Sequence, residues 1–158
     1  YYATLGLREG STGYVTDVCV PVTALAEAIA RTRKELEGCS VPSPIFGHVG
    51  DGNFHVVFPI RPADADELAE VQRISDRIAE HALDLGGTTT GEHGIGLEKQ
   101  EYMSLMFTDD DMEAMARLRP AFATGDIFNP GKIFPTGGSC VELTHSAAVA
   151  RAGPDAYI

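Results

Sequence analysis

Apolar residues alternate with other residues on both sides of Asp51-Gly52, and this alternation predicts a β-hairpin with arms over about 45–50 and 53–60. Asp-Gly suits a two-residue turn, because both central positions of such a turn need a positive φ. Pairing the arms about this turn sets His48 directly opposite His55. The apolar face of the hairpin then contains Gly47, Val49, Phe54, Val56 and Phe58, and the other face contains Phe46, His48, His55 and Val57.

Two segments flanking the hairpin have apolar residues at helical spacing. The first is predicted from Thr23 to about Glu37, before Gly38. The second begins at Asp64, has Glu67 three residues later as in a capping box, and continues to Leu85. Each helix has one apolar face, which we expect to pack on the apolar face of the hairpin.

Strands are also predicted over residues 13–20 and 88–90, so the element order is β-α-β-β-α-β. This order predicts an α+β fold: a ferredoxin-like antiparallel sheet with helices on one face. Additional C-terminal helices are expected over 97–106 and from Thr108 to Gly125, the latter with Met112, Met115, Leu118 and Phe122 facing inward. We assign residues 1–12 to a lead-in from an upstream domain, 13–135 to the domain itself and 136–158 to a tail.

Charge and composition narrow the function classes. The 158 residues include 12 basic and 23 acidic ones, a net charge of −11, which argues against nucleic acid and anionic membrane surfaces as partners. No apolar run is long enough for a transmembrane segment. Three cysteines without CxxC spacing argue against a disulfide framework and indicate a reducing compartment. We expect a cytoplasmic protein, or one peripheral to a membrane through partner subunits.

The two hairpin histidines are candidate metal ligands, because opposed residues on paired strands have Cβ atoms about 5 Å apart. Glu92, in the glycine-rich loop 91–96, is the best candidate for a third ligand, and Asp51 is a weaker one. Two imidazoles and a carboxylate bind a divalent metal and leave coordination positions open for a substrate. The ferredoxin-like strand order places the strand at 88–90 about 10 Å from the hairpin, so this loop must curl back over the sheet.

His93 follows Glu92 and has three possible roles. It is a candidate base for a substrate hydroxyl, a candidate fourth ligand, or a group that supports the ligands. The sequence alone also leaves open a metal-binding or assembly domain without catalysis, and a metal-dependent hydrolase. An unliganded histidine beside the metal favours an enzyme over a pure scaffold.

Three motifs, GHVGDGNFH, GEHGIGLEK and NPGKIF, resemble the C-terminal cap domain of FAD-linked oxidases. That group includes D-lactate dehydrogenases and the glycolate oxidase FAD subunit, with the flavin-binding fold of the vanillyl-alcohol oxidase superfamily. The resemblance implies a divalent metal, zinc or manganese, bound by His48, His55 and Glu92. It implies His93 as the base on the hydroxyl of a 2-hydroxy acid, whose hydride passes to FAD. It also implies that Asn129 and Lys132 lie near the flavin.

The resemblance places FAD mainly on an upstream domain, so we expect this chain alone to bind little flavin and to be inactive. Other subunits, or further copies of the chain, are possible partners. Val57 is a candidate substrate-pocket residue, since it follows His55 on the same face. An apolar residue there suits a small 2-hydroxy acid better than one with a second carboxylate. We therefore expect D-lactate or glycolate as the substrate.

Overall fold

A computed structural model describes residues 2–122 and 129–135. The chain divides into two units, the first ending at His93 and the second beginning at Gly94. The helices and strands of the first unit are α1 (Tyr2–Leu5), β1 (Thr12–Val15), β2 (Val18–Cys19), α2 (Leu25–Glu35), β3 (Ile45–His48), β4 (Asn53–Ile60) and α3 (Ala65–Asp84). The second unit contains α4 (Met103–Met106) and α5 (Asp109–Phe122), and 3₁₀ turns precede α2 and α4 at Val22–Ala24 and Gln100–Tyr102.

The sheet of the first unit is centred on β4. Strands β1 and β2 pair with β4 in one continuous antiparallel register, and β3 pairs with the same end of β4 as β2 does, so β3 lies on the opposite edge. The α+β class and the antiparallel sheet are therefore confirmed. The predicted fourth strand at 88–90 is reduced to a single antiparallel bridge between Cys19 and Thr88. That bridge lies beside β2, where the ferredoxin-like order puts the last strand.

The predicted hairpin register is wrong by two residues. Phe46 lies opposite His55, and His48 lies opposite Asn53, because the connection is a four-residue loop at 49–52 rather than a two-residue turn. Gly52 has a φ of 76° and its carbonyl accepts a hydrogen bond from Val20 at 3.0 Å. The loop thus pairs with the chain after β2 instead of continuing the hairpin. Since a shift of two residues preserves the side-chain alternation, His48 and His55 still share one face.

The other face of the sheet supports the hydrophobic core, as predicted, but Val49, which was expected on this face, lies in the loop and is 69% exposed. Phe54, Val56, Phe58 and Ile60 of β4 pack with α2 and α3 residues that include Leu25, Ala28, Val71, Ile74 and Ile78. Phe58 and Val56 are completely buried, and burying each such side chain contributes roughly 1.5–3 kcal/mol. The predicted cap of α3 is confirmed, because the Oδ1 of Asp64 accepts the backbone N–H of Glu67 at 3.1 Å. The central strand is thereby fixed from its helix-facing side.

Several predicted helices differ from those observed. Helix α2 begins after the 3₁₀ turn, without a side-chain cap at its N-cap residue Ala24. The helix predicted over 97–106 is only the 3₁₀ turn and the short α4. Thr108 does cap α5 through Oγ1, which accepts the N–H of Asp111 at 3.3 Å. However, Leu118 and Phe122 are 60% and 84% exposed, so the expectation that they face inward is wrong.

Two further predictions concern the C-terminal part and the membrane. Residues 129–131 form the predicted turn, and the N–H of Lys132 donates to the carbonyl of Asn129 at 3.3 Å. The predicted helix end at Gly125 and the tail at 136–158 lie outside the described residues. Among the helices that the structure describes, none has the length and apolar character needed to cross a membrane.

Candidate functional site

A break between β1 and β2, at Thr16 and Asp17, begins the site. The N–H of Thr16 donates to the carbonyl of Val56 at 3.0 Å, but the N–H of Val56 donates to the Thr16 hydroxyl at 2.9 Å instead of to its carbonyl. The released Thr16 carbonyl lies 3.0 Å from Nδ1 of His55. A carbonyl only accepts, so Nδ1 carries a proton, and the neutral ring in this tautomer has its lone pair on Nε2. The break therefore orients the His55 ring as a ligand through Nε2.

Asp17 is the second residue of this break, and its carboxylate binds the glycine-rich loop. The residue is 1% exposed. Its Oδ2 accepts the N–H groups of Gly91, Glu92 and His93 at 2.8, 3.1 and 2.9 Å, and the Thr90 hydroxyl at 3.0 Å. Three successive N–H groups around one oxygen form an anion-binding nest. The loop thus curls back to the sheet, as the predicted strand order required.

Glycine is required at position 91 by the closeness of the chain there. A Cβ on Gly91 would collide with Nδ2 of Asn53 and would lie 2.8 Å from Oδ1 of Asp17. That same Nδ2 donates to Oδ1 of Asp17 at 2.8 Å and to the carbonyl of Val18 at 3.0 Å. Asn53 therefore donates to one oxygen of the carboxylate, the loop donates to the other, and the two groups lie in close contact.

This arrangement brings the three predicted ligands together. Nε2 of His55 lies 3.0 Å from Oε1 of Glu92, and Nε2 of His48 lies 3.5 Å from the same oxygen. The rings of His48 and His55 are perpendicular, with centroids 6.2 Å apart. The side chain of His55 is 6% exposed, whereas those of His48 and Glu92 are 59% and 49% exposed. One ligand is thus buried and held, and the other two face solvent.

The donor set of His48, His55 and Glu92 fits a divalent metal. One ligand atom from each lies within 4.8 Å of the others. Donors about 2.1 Å from zinc are separated by about 3.0 Å at right angles and about 3.4 Å in a tetrahedron, which compares with the observed 3.0 and 3.5 Å. Two nitrogens and one oxygen also leave coordination positions free.

His93 lies beside this donor set. Its ring stacks on that of His55, with centroids 5.2 Å apart and planes 14° apart, and the residue is exposed. Asp17, His55 and His93 also form a group whose ligand atoms lie within 4.8 Å of one another. The hydrogen bonds from the loop already engage the Asp17 carboxylate, so the trio with Glu92 is the better metal site. A base and a ligand role for His93 are both compatible with this position.

The remaining predicted residues fall into different surroundings. Val57 shares a face with His55 and is 1% exposed, whereas Phe46, directly opposite His55, is 42% exposed with its ring centroid 6.0 Å away. Asp51 is exposed in the hairpin loop, and the two ligand clusters found among the described residues do not include it.

Asn129 and Lys132 belong to the second unit. Arg119 contacts the carbonyls of both residues, the latter at 3.3 Å, and Nε2 of Gln100 donates to the carbonyl of Gly131 at 2.6 Å. The Asn-Pro-Gly-Lys turn is therefore held by side chains from α5 and from the 3₁₀ turn before α4.

Three residues that shape the site were missed from the sequence: Thr16, Asp17 and Asn53. The available signal was Asp17, the single charged residue inside the predicted strand 13–20. A carboxylate at such a position is buried only if hydrogen-bond donors surround it. No sequence pattern indicated that those donors come from a loop more than 70 residues away.

Residues 2–133 match the model of a family described as FAD linked oxidases, C-terminal domain. The chain belongs to this family. Similar curated proteins include one from Danio rerio named "Probable D-lactate dehydrogenase, mitochondrial", which is 41% identical over 84% of this chain and 27% of its own length. The D-lactate dehydrogenase [cytochrome], mitochondrial, of Arabidopsis thaliana is 36% identical over 85% of this chain and 24% of its own length.

A third relative is the glycolate oxidase subunit GlcD of Bacillus subtilis, 34% identical over 80% of this chain and 27% of its own length. This FAD-linked oxidase C-terminal domain therefore spans about a quarter of the length of the curated relatives it matches. The names of these relatives describe D-lactate dehydrogenases and a glycolate oxidase subunit, which are oxidoreductases.

Proposed function

We propose that this domain is the substrate- and metal-binding part of an FAD-dependent 2-hydroxy-acid dehydrogenase that oxidises D-lactate or glycolate to the 2-oxo acid. The observation that carries the proposal is the convergence of Nε2 of His48 and Nε2 of His55 on one oxygen of Glu92. Membership of the FAD-linked oxidases supports the flavin, and the names of the relatives support the substrate class.

His48, His55 and Glu92 would hold the metal, zinc or manganese. When bound, a divalent metal supplies a Lewis acid that polarises the substrate oxygens and lowers the pKa of the hydroxyl. The chain contributes one ligand that is already oriented, since the Thr16 carbonyl fixes the His55 ring. The exposure of His48 and Glu92 leaves one side of the set accessible to the hydroxyl and carboxylate of a 2-hydroxy acid.

His93 would accept the hydroxyl proton of the substrate. Its exposed ring lies against that of His55, next to the ligand atoms that would hold the metal. Loss of the O–H proton to His93 and of the C2 hydride yields the 2-oxo acid. FAD, when bound, supplies the hydride acceptor, and we assign it mainly to an upstream domain. Asn129 and Lys132 stay proposed neighbours of the flavin.

The surroundings of His55 support a substrate without a second carboxylate. Phe46 presents an exposed aromatic ring 6.0 Å from that of His55, whereas Val57, on the same face, is 1% exposed, so a substrate would meet Phe46 rather than Val57. The Phe46 ring offers no hydrogen bond or positive charge, and an unpaired carboxylate against it would lose solvation. D-lactate and glycolate fit this environment better than D-2-hydroxyglutarate. Some relatives are named as mitochondrial. We therefore add a mitochondrial location to the proposed cytoplasmic and membrane-peripheral ones.

Metal binding is tested by titrating the metal-free chain with zinc and manganese. We expect one metal per chain, with affinity at least tenfold lower in Glu92→Gln than in the unaltered chain. Glu9→Gln is the matched control, because Glu9 is also an exposed carboxylate but lies outside the ligand clusters. Equal metal affinities of Glu92→Gln and Glu9→Gln would contradict the proposed metal site.

The chemistry is tested with His93→Ala in the full-length enzyme. Retained metal with abolished oxidation of D-lactate and glycolate supports the base. Loss of metal would instead make His93 a ligand. Hydrolytic activity of the isolated chain would favour the hydrolase, and metal binding by a full-length protein that oxidises no 2-hydroxy acid would favour the assembly domain.

A further inference from the structure

We infer that Asp17 is a positioning residue: its carboxylate fills the nest of N–H groups at 91–93 and so sets the places of Glu92 and His93. Only the expected effect of Asp17 on metal binding rests on the proposed function. The fixing of the loop itself needs neither metal nor flavin. Asp17 takes the place that a bound anion occupies in other nests.

The donors around Asp17 define its task. Backbone N–H groups from 91 to 93, the Thr90 hydroxyl and the Asn53 amide all donate to its two oxygens. An ionised carboxylate only accepts, so it satisfies every one of these donors at once. The side chain is completely enclosed, so water does not replace these bonds. Hydrogen bonds to a buried charged group are among the stronger ones in proteins.

The loop has little regular structure of its own to fix its conformation. Residues 91–93 are exposed and belong to no helix or strand. The preceding chain is tied to the sheet by the single bridge between Thr88 and Cys19. The bonds to Asp17 come directly after this bridge, and they hold the backbone from which Glu92 reaches the two histidines. Asp17 therefore acts on the ligand set through the loop, without contacting a substrate.

Thr16 and Asp17 also position His55, the buried member of the proposed ligand set. Thr16 presents its carbonyl to Nδ1 of His55 at 3.0 Å, and Oδ1 of Asp17 lies 3.7 Å from the same nitrogen. Residues 16 and 17 thus fix both sides of the 3.0 Å approach between His55 and Glu92. A change at Asp17 that frees the loop should move Glu92 while leaving the core of the sheet in place.

Amide hydrogen exchange of the metal-free chain tests this role. In Asp17→Asn, which has nearly the same shape, an NH₂ group replaces an oxygen that faces N–H donors. We expect exchange at 91–93 to become at least tenfold faster, with little change in β4 and α3. Asp64→Asn is the matched control, since it makes the same change at a carboxylate outside the loop, which accepts the N–H of Glu67. The asparagine oxygen still accepts that N–H, and exchange at 91–93 should stay unchanged.

Unchanged exchange at 91–93 in Asp17→Asn, or a uniform increase over the whole first unit, would overturn the inference. Zinc affinity is then measured on the same variant, and a loss of tenfold or more is expected. Faster exchange with unchanged zinc affinity would overturn the positioning of Glu92. A chain whose loop responds as expected, but which binds no metal even without substitution, would sink the proposed function and leave the role of Asp17 in the loop intact.

Asp17→Ala keeps the test decisive if Asp17→Asn does not fold. Alanine leaves a cavity under an exposed loop, and formate is a small carboxylate that can enter it. Formate should restore slow exchange at 91–93, and formamide, which has a similar size but no charge, should not. An equal response to both compounds would contradict the inference. Failure of both variants to fold, with and without formate, would make Asp17 a general stability residue and would also overturn it.

Discussion

Replacing Gly91 by alanine should damage the site through the packing of its glycine-rich loop. The added Cβ would collide with the Asn53 amide and would crowd Oδ1 of Asp17 at 2.8 Å. The loop must then withdraw, which breaks the 2.8 Å bond from the Gly91 N–H and disturbs the bond between Asn53 and Asp17. Each hydrogen bond to a charged group contributes about 1.5–3 kcal/mol. Loss of one, with partial loss of the second, destabilises the fold by about 2–4 kcal/mol.

Urea unfolding of the metal-free chain measures this cost, with Gly50→Ala as the control. Gly50 also lies in a loop beside the ligands, but it has no atom within 4 Å of an added Cβ and its φ is not positive. Its replacement should change the free energy of unfolding by less than about 0.5 kcal/mol. Zinc affinity should fall in Gly91→Ala, because Glu92 moves with the loop. Equal unfolding free energies of the two variants would refute the close packing around Asp17.

Three further predictions address the strand break, a peripheral ion pair and the substrate. Thr16→Val should lower the free energy of unfolding by about 1–3 kcal/mol in urea titrations, because the buried N–H of Val56 loses its acceptor, whereas Thr16→Ser should retain most of it. Arg8 lowers the pKa of Glu67 below its ordinary value of 4.5 by hydrogen bonding. Glu67 therefore stabilises the fold above about pH 4.5 and loses this effect as the pH falls through its lower folded-state pKa. In an acid titration, Glu67→Gln should lose less stability over that range than the unaltered chain. In the full-length enzyme, Phe46→Lys should lower kcat/KM for D-lactate and raise it for D-2-hydroxyglutarate; an unchanged ratio would show that Phe46 does not contact the substrate.

Much of the fold could be predicted because it depends on local patterns. The alternation of apolar residues along β4 indicates which of its faces is buried, and the packing of Phe54, Val56 and Phe58 confirms that face. The Asp64 cap is recognisable because its partner Glu67 is three residues away. The hairpin register was mispredicted because the Gly52 carbonyl bonds to Val20, a contact from outside the hairpin.

In the candidate site, too, local motifs could be predicted and contacts between distant residues could not. His48, His55, Glu92 and His93 are named by motifs, and the structure brings them together. Asp17 supports Glu92 and His93 through backbone N–H groups, which every residue has, so these donors leave no trace in side-chain chemistry. The exposure of Leu118 and Phe122 on α5 shows a related limit. Helical spacing predicts which residues share a face, but it does not specify what covers that face.

The two-residue correction to the register also changes how the proposed metal ligands differ from one another. His55 is held by the Thr16 carbonyl and is buried, while His48 lies opposite Asn53 at the end of β3 and is 59% exposed. Asn53 in turn donates to Asp17, so the residue paired with one ligand supports the loop that carries another. A fixed ligand sets the position of a metal, and an exposed one can adjust to its coordination geometry. His55→Ala should therefore abolish metal binding, and His48→Ala should weaken it to a smaller extent; the reverse order in a zinc titration would contradict this division.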